Sequence, residues 1–82
     1  MIKAQYLEVD LYQGDIMANL SIDVDLSKPI VHQVLSEVVK LYDGEDQQEI
    51  YSSMSKDFKS TSTGYKIKGE EVLYLIILPK PE

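Results

Sequence analysis

The chain changes the period of its apolar residues twice, and those changes outline a fold. From Ile16 to Leu26 the alternation is strict. Ile16, Ala18, Leu20, Ile22, Val24 and Leu26 fall on one side, and Met17, Asn19, Ser21, Asp23 and Asp25 on the other. That is the period-two pattern of a half-buried strand. Residues 2–12 precede it, and Gly14-Asp15 in the connection suits a two-residue type I′ or II′ turn, because glycine accepts positive φ. Such a turn pairs Leu11 with Ala18, Val9 with Leu20 and Leu7 with Ile22, all apolar on the inner face. It leaves Tyr6, Glu8, Asp10 and Tyr12 on the outer face, beside Met17, Asn19, Ser21 and Asp23.

A helical period follows. Ser27 is placed to cap a helix with Pro29 in its first turn. Ile30, Val31, Val34, Leu35, Val38, Leu41 and Tyr42 recur at helical spacing, and Gly44 is a natural residue just past the end. Asp46 with Glu49 three residues on reads as a capping box for a second helix, whose narrow apolar stripe is Ile50, Tyr51, Met54 and Phe58. Residues 60–64 read as a loop and Tyr65–Lys68 as a short strand. Gly69-Glu70 reads as a tight turn and Val72–Leu78 as a last strand stopped by Pro79 and Pro81. The order ββααββ predicts an α+β domain over residues 1–82, with 79–82 a short proline-containing tail. The expected sheet is mostly antiparallel and four-stranded, with both helices packed on one face.

The final strand breaks the alternation: Val72-Leu73-Tyr74-Leu75-Ile76-Ile77-Leu78 is apolar throughout. Its hairpin puts Tyr65, Ile67, Val72, Tyr74, Ile76 and Leu78 on one face, leaving Leu73, Leu75 and Ile77 on the other. Helices can cover only one of these faces. Leaving three such side chains wet forgoes about 1.5–3 kcal/mol each, so a partner, a second copy or a folded-back segment is expected over them.

Charge adds a second asymmetry. The net charge is −6, carried by 14 acids against 8 lysines with no arginine. Residues 1–27 hold five acids (Glu8, Asp10, Asp15, Asp23, Asp25) against one lysine, a net of −4. Like charges on neighbouring strands destabilise a sheet, so the fold gains nothing from this crowding. An acidic surface without arginine argues against direct nucleic-acid or anionic-membrane binding and for a basic protein partner. There is no cysteine, so neither a disulfide framework nor a thiolate metal site is available. The N-terminus lacks a signal-peptide apolar core, and the longest apolar run is far short of the ~20 residues that span a bilayer. The expectation is a soluble protein of the cytoplasm of a producing or host cell.

Candidate chemistry is thin. His32 is the only histidine, with Ser36 one turn away, but the two lie on an exposed helix face without an oxyanion site, and a solvated histidine is the plainer reading. Asp23-Val24-Asp25 puts two carboxylates about 6.6 Å apart on one side of a strand, with Glu8 and Asp10 on the neighbouring strand. Oxygen ligands of this kind suit a weak divalent-cation site, but no glycine-bearing ligand loop accompanies them, and solvating charges explain them better. All four glycines are isolated, so no phosphate loop exists. No cofactor, no metal and no catalytic residue is expected.

A small, acidic, single-domain α+β chain without catalytic motifs resembles in kind the inhibitors that phages make against host nucleases. The likeness is one of size, charge and class; it covers no motif and carries over no residue. It implies a non-catalytic module that docks on a basic, nucleic-acid-binding surface through Tyr6, Glu8, Asp10, Tyr12, Met17, Asp23 and Asp25. The alternative is a homodimeric assembly module packed through Leu73, Leu75 and Ile77, and a small metal-dependent enzyme comes third.

Overall fold

A computed structural model describes residues 2–42 and 47–79. The elements are β1 (Ile2–Asp10), β2 (Ile16–Val24), α1 (Ile30–Val38) with a 3-10 turn at Val39–Leu41, α2 (Gln47–Asp57), β3 (Lys59–Ser60), β4 (Gly64–Lys68) and β5 (Val72–Ile77). They form one five-stranded antiparallel sheet in the order β2-β1-β5-β4-β3. The α+β class and the two helices agree with expectation. The sheet has one strand more than expected, because Lys59 and Ser60 pair with Lys66 and Tyr65. A two-residue strand has no period to read, which is why the pattern passed over it.

The first hairpin differs from its expected register by three residues. Tyr6 faces Leu20 and Glu8 faces Ala18, instead of Val9 facing Leu20. The cause lies in the connection. The Asp10 carboxylate accepts hydrogen bonds from the Tyr12 and Gln13 amides at 2.8 and 3.3 Å, starting the turn early. Gly14, at φ 77°, completes it by donating its amide to the Asp10 carbonyl at 2.7 Å. Leu11 and Tyr12 therefore leave the strand. An odd shift turns every β1 side chain over, so Tyr6 and Glu8 point toward the helices while Leu7 and Val9 point away. A bulge between Glu8 and Val9 then sets Ile16 opposite Val9, on the outer face.

The final hairpin keeps its expected faces. Tyr65 pairs with Ile76 and Ile67 with Tyr74, as required for Tyr74 and Ile76 to point inward and Leu73, Leu75 and Ile77 outward. Its turn is Glu70-Glu71, one residue later than expected, closed by the Gly69 amide donating to the Val72 carbonyl at 3.0 Å. The resulting shift of two residues preserves the faces. Gly64 is required by packing: a Cβ there would lie 1.9 Å from the Ile76 carbonyl oxygen. β5 lies between β1 and β4, so its continuous apolar run is that of a central strand lined on both sides by neighbours.

The core lies between the inner sheet face and α1. Ala4, Tyr6, Ile22, Val24 and Ile76 meet Ile30, Val34, Leu35 and Val38. Tyr51 and Met54 of α2, and Phe58 just past its end, pack on the same cluster while still half-exposed, so both helices share one face. Ser27 does not cap α1, whose N-cap position is Pro29. Gln33 orders the approach instead. Its amide nitrogen donates to the carbonyls of Asp25, Lys28 and Pro29, and its oxygen accepts the Asp25 amide at 2.7 Å. The capping roles expected of Gly44 and Asp46 fall outside the described residues.

Candidate functional site

The acidic-aromatic face expected of the first hairpin is not one surface. Tyr6 is fully buried. Its hydroxyl donates to the Glu8 carboxylate at 2.5 Å, and the Tyr42 hydroxyl donates to the same oxygen at 3.4 Å. Burial, then the hydrogen bond to Glu8, pushes the Tyr6 phenol far above its ordinary range. Burial and the nearby Glu8 charge push Tyr42 up to about 12, and the same two causes raise Tyr74. These phenols stay protonated at neutral pH. Tyr6 and Tyr42 serve as donors to one carboxylate rather than as nucleophiles or bases, and the cluster holds β1 in its register.

The remaining members scatter. Asp10 closes the turn described above. The Asp25 carboxylate accepts from the Ser27 hydroxyl at 2.7 Å and the Ser27 amide at 2.9 Å, and these bonds hold its carboxyl below the usual range. Asp23 lies on the outer face, ion-paired with Lys3 at 2.9 Å. Tyr12 is 77% exposed on the turn, and Met17 is half-exposed at the bulge. Asp23 and Asp25 thus have separate partners, and among the described residues no group of three potential ligands could hold a metal ion.

The expected His32–Ser36 neighbours do not face each other either. The Ser36 hydroxyl donates to the backbone carbonyl of His32 at 2.8 Å. The imidazole instead stacks on Tyr51, with centroids 5.6 Å apart and Nδ1 2.7 Å from the phenol oxygen. This contact ties α1 to α2.

No family model matches the chain, and no curated protein or solved structure matches it either. The candidate sites rest on geometry alone.

Two surfaces stand out. The first is the outer face of the sheet. Leu7 lies opposite Leu75, and Val9 opposite Leu73 on one side and Ile16 on the other. With Ile77, 37% exposed, they form an apolar band larger than the three residues read from the sequence. Lys66 and Lys68 border it on β4, and Lys59 lies beyond them on β3. On its other side Gln5 donates to Asn19 and accepts from Ser21 at 3.1 Å, a polar ladder ending in the Lys3–Asp23 pair.

The second surface is the β2 edge. The helical layer covers its inner side incompletely, leaving two adjoining clefts of about 420 and 380 Å³ that share Leu20 and Leu41. Leu41 is 49% exposed in this trough. The sequence pattern counted Leu41 as a core position, because its helical spacing continues the stripe of α1. The 3-10 turn at Val39–Leu41 rotates it out of the core. Among the described residues no helix is long and apolar enough to cross a membrane.

Proposed function

We propose that this protein is a non-catalytic protein-binding module, a small acidic inhibitor that docks on the basic, nucleic-acid-binding surface of a partner protein. It is of the kind phages use against host defence nucleases. The observation that carries this reading is the separation of charge across the sheet. Asp15, Asp23 and Asp25 lie on or beside β2, with Glu37 of α1 near the same edge. Lys59, Lys66 and Lys68 lie on β3 and β4, at the opposite edge. Asp23 is paired with Lys3 and Glu37 with Lys40, so Asp15 and Asp25 at the two ends of β2 supply most of the field that steers a basic surface toward this edge. Duplex DNA carries a charge about every 1.7 Å of axis, whereas strand residues advance about 3.4 Å each. Charge alone is too sparse here to compete with nucleic acid, so apolar contact must supply the rest of the affinity.

The test is capture from a host lysate by the immobilised protein and by the variant with Asp15, Asp23, Asp25 and Glu37 all changed to Ser. The expected result is a basic protein held by the wild type, released by salt or by added duplex DNA, and not held by the variant. Equal capture by both would end this reading.

A second reading follows from the outer face. Leu7, Val9, Leu73, Leu75 and Ile77 form a self-complementary apolar band suited to a face-to-face homodimer. About fifteen residues line this face, against 20–30 per side in a standard interface, which projects to a total burial of about 1,000 Å² and a weak dimer. A concentration-dependent dimer mass that Leu75→Lys abolishes without unfolding the monomer would support it. A monomer at every concentration would remove it.

A further inference from the structure

The two edges of the sheet are guarded very differently. The β3 edge is two residues long and carries Lys59, which protects it against added strands. The β2 edge runs nine residues, Ile16–Val24, with no proline or lysine. Its one ionic side chain, Asp23, is turned to the outer face and paired with Lys3. Its one structural guard is the bulge beside Ile16, so residues 18–24 keep regular pairing with β1, and among the described residues no strand pairs with their other side.

From this edge, resting on the proposed reading of a basic partner, we infer that the protein captures that partner by strand addition. An extended segment of the partner pairs with β2, placing alternate apolar side chains in the trough and lysines or arginines between them. Backbone hydrogen bonds give such a contact its affinity, and the pockets for alternate side chains give it specificity. Ala18, Leu20 and Leu41 line the floor of the trough. Its charges are also placed for a basic segment. Asp15 precedes the strand and Asp25 follows it, one at each end of the edge, while Glu37 lies on the trough side, paired with Lys40 at 3.2 Å. A second copy fits less well. Antiparallel β2 pairing centred on Leu20 would set Asp15 of one copy against Asp25 of the other and bring two hairpins of like charge together.

The probe is a synthetic peptide of alternating valine and lysine, about as long as a typical strand. Its control has the same length with two central residues changed to proline. Backbone amide exchange is followed by NMR. At saturating alternating peptide, the β2 amides facing away from β1 should slow about tenfold or more, because they pass from solvent into a ladder. The proline control should not slow them. Leu41→Ser should weaken the alternating peptide about tenfold, equivalent to about 1.4 kcal/mol, without altering the fold. Equal binding of both peptides, without β2 protection, would overturn strand addition while leaving a charge-steered basic partner standing. No binding of either peptide would overturn both. Concentration-dependent β2 protection without peptide would make a second copy the occupant and overturn the choice of a basic segment.

Discussion

Tyr6→Phe separates the two roles assigned to the tyrosine–glutamate cluster, register and burial, because it keeps the ring and removes only the hydroxyl. The ring is fully buried and stays so. What is lost is one hydrogen bond to a carboxylate, typically worth about 1.5–3 kcal/mol. Glu8 is half-buried and keeps the longer bond from Tyr42, so about 1–2 kcal/mol is the expected loss at neutral pH, or about 5–15 °C in Tm for a domain of this size. The pH dependence sharpens the test. Below the ordinary phenol value of 10.0, Tyr6 is protonated in both the folded and the unfolded chain, so its contribution is constant. Above it the unfolded chain ionises first, because the folded-state value is raised. Stability contributed by Tyr6 then falls by about 1.4 kcal/mol per pH unit. Other titrating groups are common to wild type and variant and cancel in the difference. The variant's deficit should therefore shrink above pH 10 and vanish near pH 11. Denaturant unfolding followed by circular dichroism, across neutral to alkaline pH, reads both numbers. A deficit that stays constant into the alkaline range, or no deficit at neutral pH, would refute the buried donor–carboxylate account.

Two further changes test the frame that holds the candidate surfaces. Gly64→Ala brings a methyl group to 1.9 Å from the Ile76 carbonyl oxygen, which only a backbone shift between β4 and β5 can relieve. The expected cost is about 3 kcal/mol or more, read by denaturant midpoint, and a change under about 1 kcal/mol would mean the two strands are looser than described. Gln33→Ala leaves the Asp25 amide and three carbonyls without their side-chain partner, at an expected cost of about 1–3 kcal/mol, with faster amide exchange at residues 25–29. Unchanged exchange there would show that water replaces the glutamine fully.

Local pattern alone determined both helices and four of the five strands, the helix-facing side of β2 from Ala18 to Val24, and both faces of β5. In each case one face is apolar without competition, or the hairpin shift that occurs is even and leaves the faces alone. The same reasoning recognised an apolar second face and a charge imbalance, but not what either touches. β1 was beyond it for a physical reason. Ile2, Ala4 and Tyr6 are apolar at even positions and Leu7, Val9 and Leu11 at odd ones, so either register buries three. The choice was made by polar bonds that the apolar pattern does not show, two of them local and one from far along the chain. The Asp10 carboxylate closes the turn early, and a carboxylate on β1 meets phenols from Tyr6 and from Tyr42, which lies beyond α1. That choice moved Tyr6 and Glu8 from the expected docking face into the interior and sent Leu7 and Val9 outward to join Leu75 and Leu73. Strand order was likewise tertiary, because two hairpins can join through several edges. Joining β1 to β5 made the apolar strand central and left β2 at the edge, with no strand beyond it among the described residues. The candidate binding edge exists only once that order is set.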